Sequence, residues 1–329
     1  METEARPQEK YRIIQEMIQR DNNELNISWL CEMAGVSRSG YYNWVRSAEE
    51  REQKEAQDRE DFDRVLEAYR FRGYDKGRRG IHMRLLHMGI AMNPKKISRL
   101  MKKYNLNCPI RKANPYRRMA KALKTDAVAD NIVNREFREY GARKILLTDI
   151  TYMLYNNGCR AYLSTVKDAY TREILAYVPS KSLDVDFVLE TIQQLLKKHG
   201  GELQTDAIMH SDQGCHYTSV SFRQLLKDKE LRQSMSRRGN CWDNAPKESF
   251  YGHMKDEIDL SPCKTFEDVC AVIHDYMDYY NKDRYQWDLA KLSPSQYYGY
   301  IMTGVYPLRG IAGERIPDQD GDPNPTSNL

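Results

Sequence analysis

Three short stretches constrain this chain more than any other feature, because each sets one carboxylate in an unusual place. Lys144-Ile-Leu-Leu-Thr-Asp-Ile-Thr-Tyr-Met153 carries Asp149 inside an apolar run of β type. Ala207-Ile-Met-His-Ser-Asp-Gln-Gly214 ends a second such run on Asp212, just before a Gln-Gly turn. Arg237-Arg-Gly-Asn-Cys-Trp-Asp-Asn-Ala-Pro-Lys-Glu-Ser-Phe250 carries Glu248, where Pro246 suits the first turn of a helix and Asp243 or Asn244 can cap it. Asp149 and Asp212 are 63 positions apart, and 35 residues separate Asp212 from Glu248. An isolated carboxylate in apolar surroundings is costly. Two strands and a helix aiming carboxylates at one point make an oxygen-rich site for hard divalent cations. Two such ions, about 3.5–4 Å apart, activate a nucleophile and stabilise a leaving oxygen in phosphodiester chemistry.

Composition narrows the class. The chain has 329 residues, enough for two or three domains, and 30% of them are charged, which indicates a strongly solvated protein. A net charge of +4 is modest, but its distribution is not. Between Asn93 and Lys124 stand eleven Lys and Arg and no acid, an electrostatic footprint for a phosphate backbone. Seven cysteines, an odd count without a Cys-x-x-Cys pair, fit no zinc finger and read as reduced thiols of a cytosolic protein. No run of about 18 apolar residues suggests a membrane span, and the N-terminus has no signal-peptide core.

In chain order, Glu9–Arg20 has the apolar spacing of a helix, and residues 26–44 read as helix-turn-helix. Ser28 and Ser37 can cap its two helices, Gly35 turns the chain, and Arg38, Ser39, Tyr41 and Asn43 are expected to face a groove or phosphates. A charge-dense helix follows over 48–69. Residues 78–104 repeat the helix-turn-helix grammar, with Ile97, Leu100 and Met101 inward and Lys95, Lys96, Arg99, Lys102 and Lys103 outward. Residues 107–140 read as a basic linker, in which Tyr116, Arg117 and Arg118 can contact DNA backbone. From Ala142 the pattern becomes strand–strand–strand–helix–strand–helix–strand–helix. The residues from about Arg309 read as a disordered tail.

The words TDITY, HSDQG and RRGNCWDNAPKESF, in this order and spacing, resemble the D, D(35)E signature of retroviral-integrase-like DNA transposases. More narrowly they are similar to the second-frame (OrfB) product of bacterial insertion sequences of the IS-three group. GRRGIHMRLL, NPKKISRLMKKYNL, Tyr280–Arg284 and Leu292–Tyr297 extend the resemblance over nearly the whole chain.

The resemblance implies an α/β ribonuclease-H-like catalytic core, a mixed sheet flanked by helices, with all-α helix-turn-helix modules N-terminal to it. The implied divisions are a helix-turn-helix module over 1–47, a helix with a second such module over 48–106, the linker 107–140, the core with C-terminal helices over 141–308, and the tail 309–329. Asp149, Asp212 and Glu248 are then both catalytic residues and ligands of two Mg²⁺ ions, with Mn²⁺ able to substitute. The implied activity is cleavage at insertion-sequence ends followed by strand transfer. His210, Gln213, Asn240, Trp242 and Asn244 are expected to support the site. Lys255, two helical turns after Glu248, is a candidate phosphate contact, and Asp168 and Asp206 have no spacing to recommend them. Partners are double-stranded DNA, further copies of the chain on that DNA, and the upstream-frame (OrfA) protein, fused or separate, since no heptad run here supplies a zipper. The setting is the bacterial cytoplasm and nucleoid. Two alternatives stand beside this reading: a DNA-binding regulator with an inactive integrase-like domain, and a ribonuclease-H-type nuclease.

Overall fold

The structure is a computed structural model that describes residues 6–20, 26–74, 76–108, 139–236 and 245–311, without the side chains of residues 245–248. The chain forms two compact units, Met1–Arg64 and Val65–Leu329. In the first, α1 (Pro7–Arg20), α2 (Ile27–Met33) and α3 (Arg38–Arg46) enclose Ile14, Ile18, Leu30, Cys31 and Tyr41. Gly35, at φ 65°, makes the sharp turn between α2 and α3. Ser37 caps α3 through the Gly40 N–H, as expected. The cap of α2 is Asn26 rather than Ser28: its Oδ1 accepts from the N–H groups of Ser28 and Trp29. Asn suits a cap as well as Ser does, and the helix begins at Ile27, two residues earlier than a Ser28 cap would start it. A long helix, α4 (Ala48–Arg70), follows.

The second unit continues with α5 (Arg78–His87) and α6 (Pro94–Lys103), which pack through the fully buried Ile81, Leu85, Ile97 and Leu100. Gly89, at φ 76°, ends α5, and the Asn93 side chain caps α6 with Pro94 in its first turn. Three strands come next as an antiparallel meander, β1 (Ile145–Tyr155), β2 (Cys159–Asp168) and β3 (Ile174–Ser180). The amphipathic helix α7 (Val185–His199) crosses over to β4 (Ile208–Ser211), which lies parallel to β1. A short α8 (Cys215–Thr218) and α9 (Val220–Asp228) lead to β5 (Arg232–Met235), parallel to β4. The sheet order is β3-β2-β1-β4-β5.

The chain closes with α10 (Ala245–Glu257), α11 (Phe266–Lys282) and α12 (Pro294–Thr303). Capping boxes at Thr265/Asp268 and Ser293/Gln296 start α11 and α12. One face of the sheet packs Leu146, Val166 and Met209 against Val188, Ile192 and Leu195 of α7 and Phe222 of α9. The other packs Met153, Ala161 and Leu163 against Phe250 and Met254 of α10 and Ile273 and Tyr276 of α11. This is the expected ribonuclease-H-like core, a mixed five-stranded sheet with helices on both faces. No helix among the described residues is long and apolar enough to cross a membrane.

Asp168, which spacing did not recommend, has a structural use. Arg143, almost fully buried before β1, donates to Asp168 Oδ2 at 3.1 Å, to Glu173 Oε2 at 2.6 Å and to Glu202 Oε2 at 3.2 Å. Its guanidinium carbon lies 3.9 Å from the centroid of the Tyr298 ring. Removing one member of a buried ion cluster strands the others, at a cost of roughly 3–5 kcal/mol. Arg143→Ala should therefore lower the melting temperature by roughly 10 °C, measured by circular dichroism. A shift within the error of the melt would show that the cluster does not hold this end of the sheet.

Candidate active site

The register of the central strands decides how the two aspartates meet. Ile145 pairs with Ile208, Leu146 with Met209 and Leu147 with His210, so the parallel offset between β1 and β4 is 63 residues. Asp149 and Asp212 are separated by the same 63 positions. Carried one pleat past the last paired residues, the same offset assigns Asp149 on β1 and Asp212, just past the end of β4, to neighbouring register positions of strands about 4.8 Å apart. Because side chains alternate, both follow Leu147 and His210 on the face that carries Met153 and packs against α10.

Asp149 is half-buried, and its Oδ1 accepts from the Ile150 N–H at 2.8 Å. Its backbone carbonyl accepts from the Tyr251 hydroxyl of α10 at 2.7 Å. Burial, with the Asp149 charge next in weight, pushes the Tyr251 phenol well above its usual range, so it stays a proton donor. Tyr217 of α8 is also buried, its ring packed edge-on against Phe222. Burial first, then Asp149 and more weakly Asp212, hold its phenol far up. The neighbouring buried Thr148 hydroxyl opposes this weakly. Neither tyrosine stands out in sequence, where each looks like an ordinary core aromatic.

Asp212 is half-buried, and its Oδ1 accepts from the Gly214 N–H at 2.9 Å, the Asx turn that brings the chain off β4. A Cβ on Gly214 would lie 2.9 Å from that same oxygen and 3.6 Å from Tyr217 Cδ2. Gly214→Ala must therefore turn the Asp212 carboxylate. Displacing a reacting group by about 1 Å can cost on the order of 10²-fold. Strand transfer should fall by about that factor with DNA affinity unchanged, and wild-type rates in this variant would show that the Asp212 carboxylate has room to spare.

Residue 248 lies in the first turn of α10, behind Pro246, and its side chain is outside the described residues. On a helix, positions 248, 251 or 252, and 255 share one side. Tyr251 docks α10 on Asp149, and the Lys255 Nζ sits 5.1 Å from the Tyr152 ring of β1. The donor set is carboxylate oxygen, suited to Mg²⁺ or Mn²⁺. Among the described residues no three His, Cys, Asp or Glu side chains form a metal cage.

His210 is buried and its Nδ1 is hydrogen-bonded to the Ser234 hydroxyl on β5, tying the edge strand to the strand that ends in Asp212. Gln213 donates through Nε2 to the Ser236 carbonyl at 3.0 Å. Asn240, Trp242, Asp243 and Asn244 lie outside the described residues, as do Tyr116, Arg117 and Arg118.

Of the residues expected to meet DNA, Lys95, Arg99, Lys102 and Lys103 are exposed on α6 and Lys96 is half-buried. In the first unit Arg38 and Ser39 are exposed, and Arg38 donates to the Ser28 hydroxyl at 3.1 Å. Tyr41 corrects its expectation. It is 3% exposed, with its hydroxyl donating to Gln15 Oε1 at 2.6 Å, because the α1 packing face claims the ring.

Residues 139–241 and 248–299 match integrase core domain families, and residues 56–114 match a helix-turn-helix-like domain family. The chain is 31% identical over 270 residues to the insertion element IS600 uncharacterized 31 kDa protein of Shigella sonnei, covering 82% of this chain and 97% of that protein. It is 31% identical over 235 residues to the putative transposase InsK for insertion sequence element IS150 of Escherichia coli, covering 71% and 81%. Over 285 residues it is 28% identical to the transposase InsF for insertion sequence IS3A of Escherichia coli, covering 85% and 96%. With an integrase core behind a helix-turn-helix-like domain and relatives of this kind along most of its length, the chain belongs to the IS3-group insertion-sequence transposases, the OrfB-type enzymes of DNA transposition.

Proposed function

We propose that Asp149, Asp212 and Glu248 together hold two Mg²⁺ ions, or Mn²⁺ in their place, and that this site cuts insertion-sequence ends and joins the freed 3′-OH to target DNA. The observation that carries this is the coincidence of the 63-residue strand offset with the 63-residue separation of the aspartates. The anchoring of α10, the helix of Glu248, on the backbone of Asp149 supports the third ligand. Metal ions bound there would activate the attacking oxygen and stabilise the leaving one. Asp149 holds its oxygens on β1 and Asp212 holds its own just past the end of the adjacent β4, where sheet packing and the Asx turn fix them before substrate arrives. Lys255 places a cation two turns along α10, in reach of a phosphate next to the scissile one.

Within the same reading, 1–47 and 48–106 are the DNA-binding modules, 107–140 is the basic linker, 141–308 is the catalytic core and 309–329 is a tail. Lys95, Lys96, Arg99, Lys102, Lys103, Arg38, Ser39, Arg117 and Arg118 supply phosphate contacts, while Asn240, Trp242 and Asn244 border the site. The chain works in the bacterial cytoplasm on nucleoid DNA, as an oligomer on paired ends and with its upstream-frame partner. A strand-transfer assay tests this, with labelled terminal-repeat DNA, Mg²⁺ and the upstream-frame protein. Joined products that vanish with chelator are expected. Binding without any product would favour the regulator, and nicking without joining would favour the nuclease.

A further inference from the structure

The Tyr251 hydroxyl touches two strands at one register position. It lies 2.7 Å from the Asp149 carbonyl of β1 and 2.9 Å from Thr165 Oγ1 of β2. Asp149 and Thr165 are directly paired across β1 and β2. Proton accounting orders the contacts. A phenol has one hydrogen and a carbonyl can only accept, so Tyr251 donates to Asp149 and Thr165 donates to Tyr251. Such a relay, Thr165 to Tyr251 to Asp149, is strengthened by its own polarisation in a buried setting. Both side chains are buried, and the Tyr251 ring is held beside Phe250 at 5.3 Å between centroids. The ring therefore packs whether or not the hydroxyl is present, and the oxygen is left with a separate task.

We infer that the Tyr251 hydroxyl is a positioning group that sets the depth and rotation of α10 on β1, and with them the place of Glu248 relative to Asp149. The inference rests on the reading of Glu248 as the third carboxylate. At its C-terminal end α10 is fixed by Glu257, which accepts from Arg284 and from the Tyr276 hydroxyl. The first turns near residue 248 are packed by the apolar Phe250 and Met254 and could roll about that far anchor by a fraction of an ångström at little cost, because apolar contacts are not directional. A hydrogen bond to the backbone of a sheet strand is directional and short. Residue 248 is one turn from that bond, so a small roll of α10 moves it relative to Asp149 with little loss of core packing.

The test is Tyr251→Phe in the full chain, read by Mn²⁺ binding to the DNA-free protein using electron paramagnetic resonance of free Mn²⁺. Strand transfer with the upstream-frame protein and thermal melting accompany it. Groups that orient metal-holding residues typically contribute about 10–100-fold in metal affinity. The expected result is a rise of at least about tenfold in the Mn²⁺ dissociation constant. Strand transfer should fall in parallel, recover in part at high Mn²⁺, and leave DNA affinity unmoved. Thr165→Val, which removes only the incoming donor, should give a smaller change in the same direction, and the double variant should be no worse than Tyr251→Phe alone. Should Tyr251→Phe not fold, Thr165→Val carries the test. Unchanged Mn²⁺ affinity and rate in the folded Tyr251→Phe protein, with Glu248→Gln impaired in both, overturns the inference and leaves the carboxylate reading standing. Glu248→Gln unchanged in both overturns the carboxylate reading, and the inference with it.

Discussion

Asp149→Ala, Asp212→Ala and Glu248→Ala proteins should bind insertion-sequence ends as tightly as the parent and yet neither cut nor join them. The two properties separate because they draw on different parts of the chain. Affinity for DNA comes mainly from cations facing phosphates, and those expected here stand on α6 and in the helix-turn-helix of residues 26–44. In the proposed reading the carboxylates hold metal ions that act on charge developing in the transition state, so their removal is expected to be felt in the rate. Metal-ion stabilisation of that charge is worth several kcal/mol, and each 1.36 kcal/mol is tenfold, so a loss of at least about 10³-fold is expected for each single variant.

Asp149→Asn keeps the shape and the hydrogen bond from the Ile150 N–H but removes the charge. It should therefore be nearly as damaging as Ala. The measurement is strand transfer in Mg²⁺ and in Mn²⁺ beside a binding curve on the same DNA. Substantial joining by the triple Ala variant would place the chemistry elsewhere. Equal loss of binding and joining would show that the carboxylates shape the DNA surface instead.

The three acids stand out in the sequence because each interrupts a local pattern. Asp149 breaks an apolar strand run, Asp212 precedes Gln213-Gly214, and Glu248 follows Pro246. The strands and long helices are legible because periodicity is imposed by the burial of one face. What escaped depends on which groups meet across the fold. Arg143 and Asp168 are 25 positions apart and look like ordinary surface charges until the meander closes them into one buried cluster. Tyr251 and Tyr217 carry hydroxyls whose place relative to Asp149 is set by helix docking, which no spacing encodes. Tyr41 reads as groove-facing on a helical wheel, yet a third helix, α1, competes for the same side and takes the ring. The four-residue α8 is too short for any period to announce it.

Reversing Lys95, Arg99 and Lys103 to Glu should weaken binding to every DNA sequence alike and flatten its dependence on salt. The helix itself should survive. Ile97 and Leu100 hold its inner face and Asn93 caps its start, and none of these is altered. Glu has nearly the helix propensity of Lys and Arg. A Glu at 95, in the first turn, favours the helix dipole, and one at 103, in the last turn, opposes it by a few tenths of a kcal/mol. The effect on DNA is therefore electrostatic rather than a loss of fold. Each phosphate contact contributes about 0.9 to the slope of log affinity against log salt, so losing three should lower the slope by about 2.7. Because phosphate contacts carry no direct sequence information, terminal-repeat and unrelated duplexes should lose affinity by the same factor. The measurement is a set of binding isotherms across salt concentrations on both DNAs. An unchanged slope would remove α6 from the DNA surface. A loss confined to the terminal repeat would make α6 a reader of bases, with its side chains in a groove rather than along the backbone.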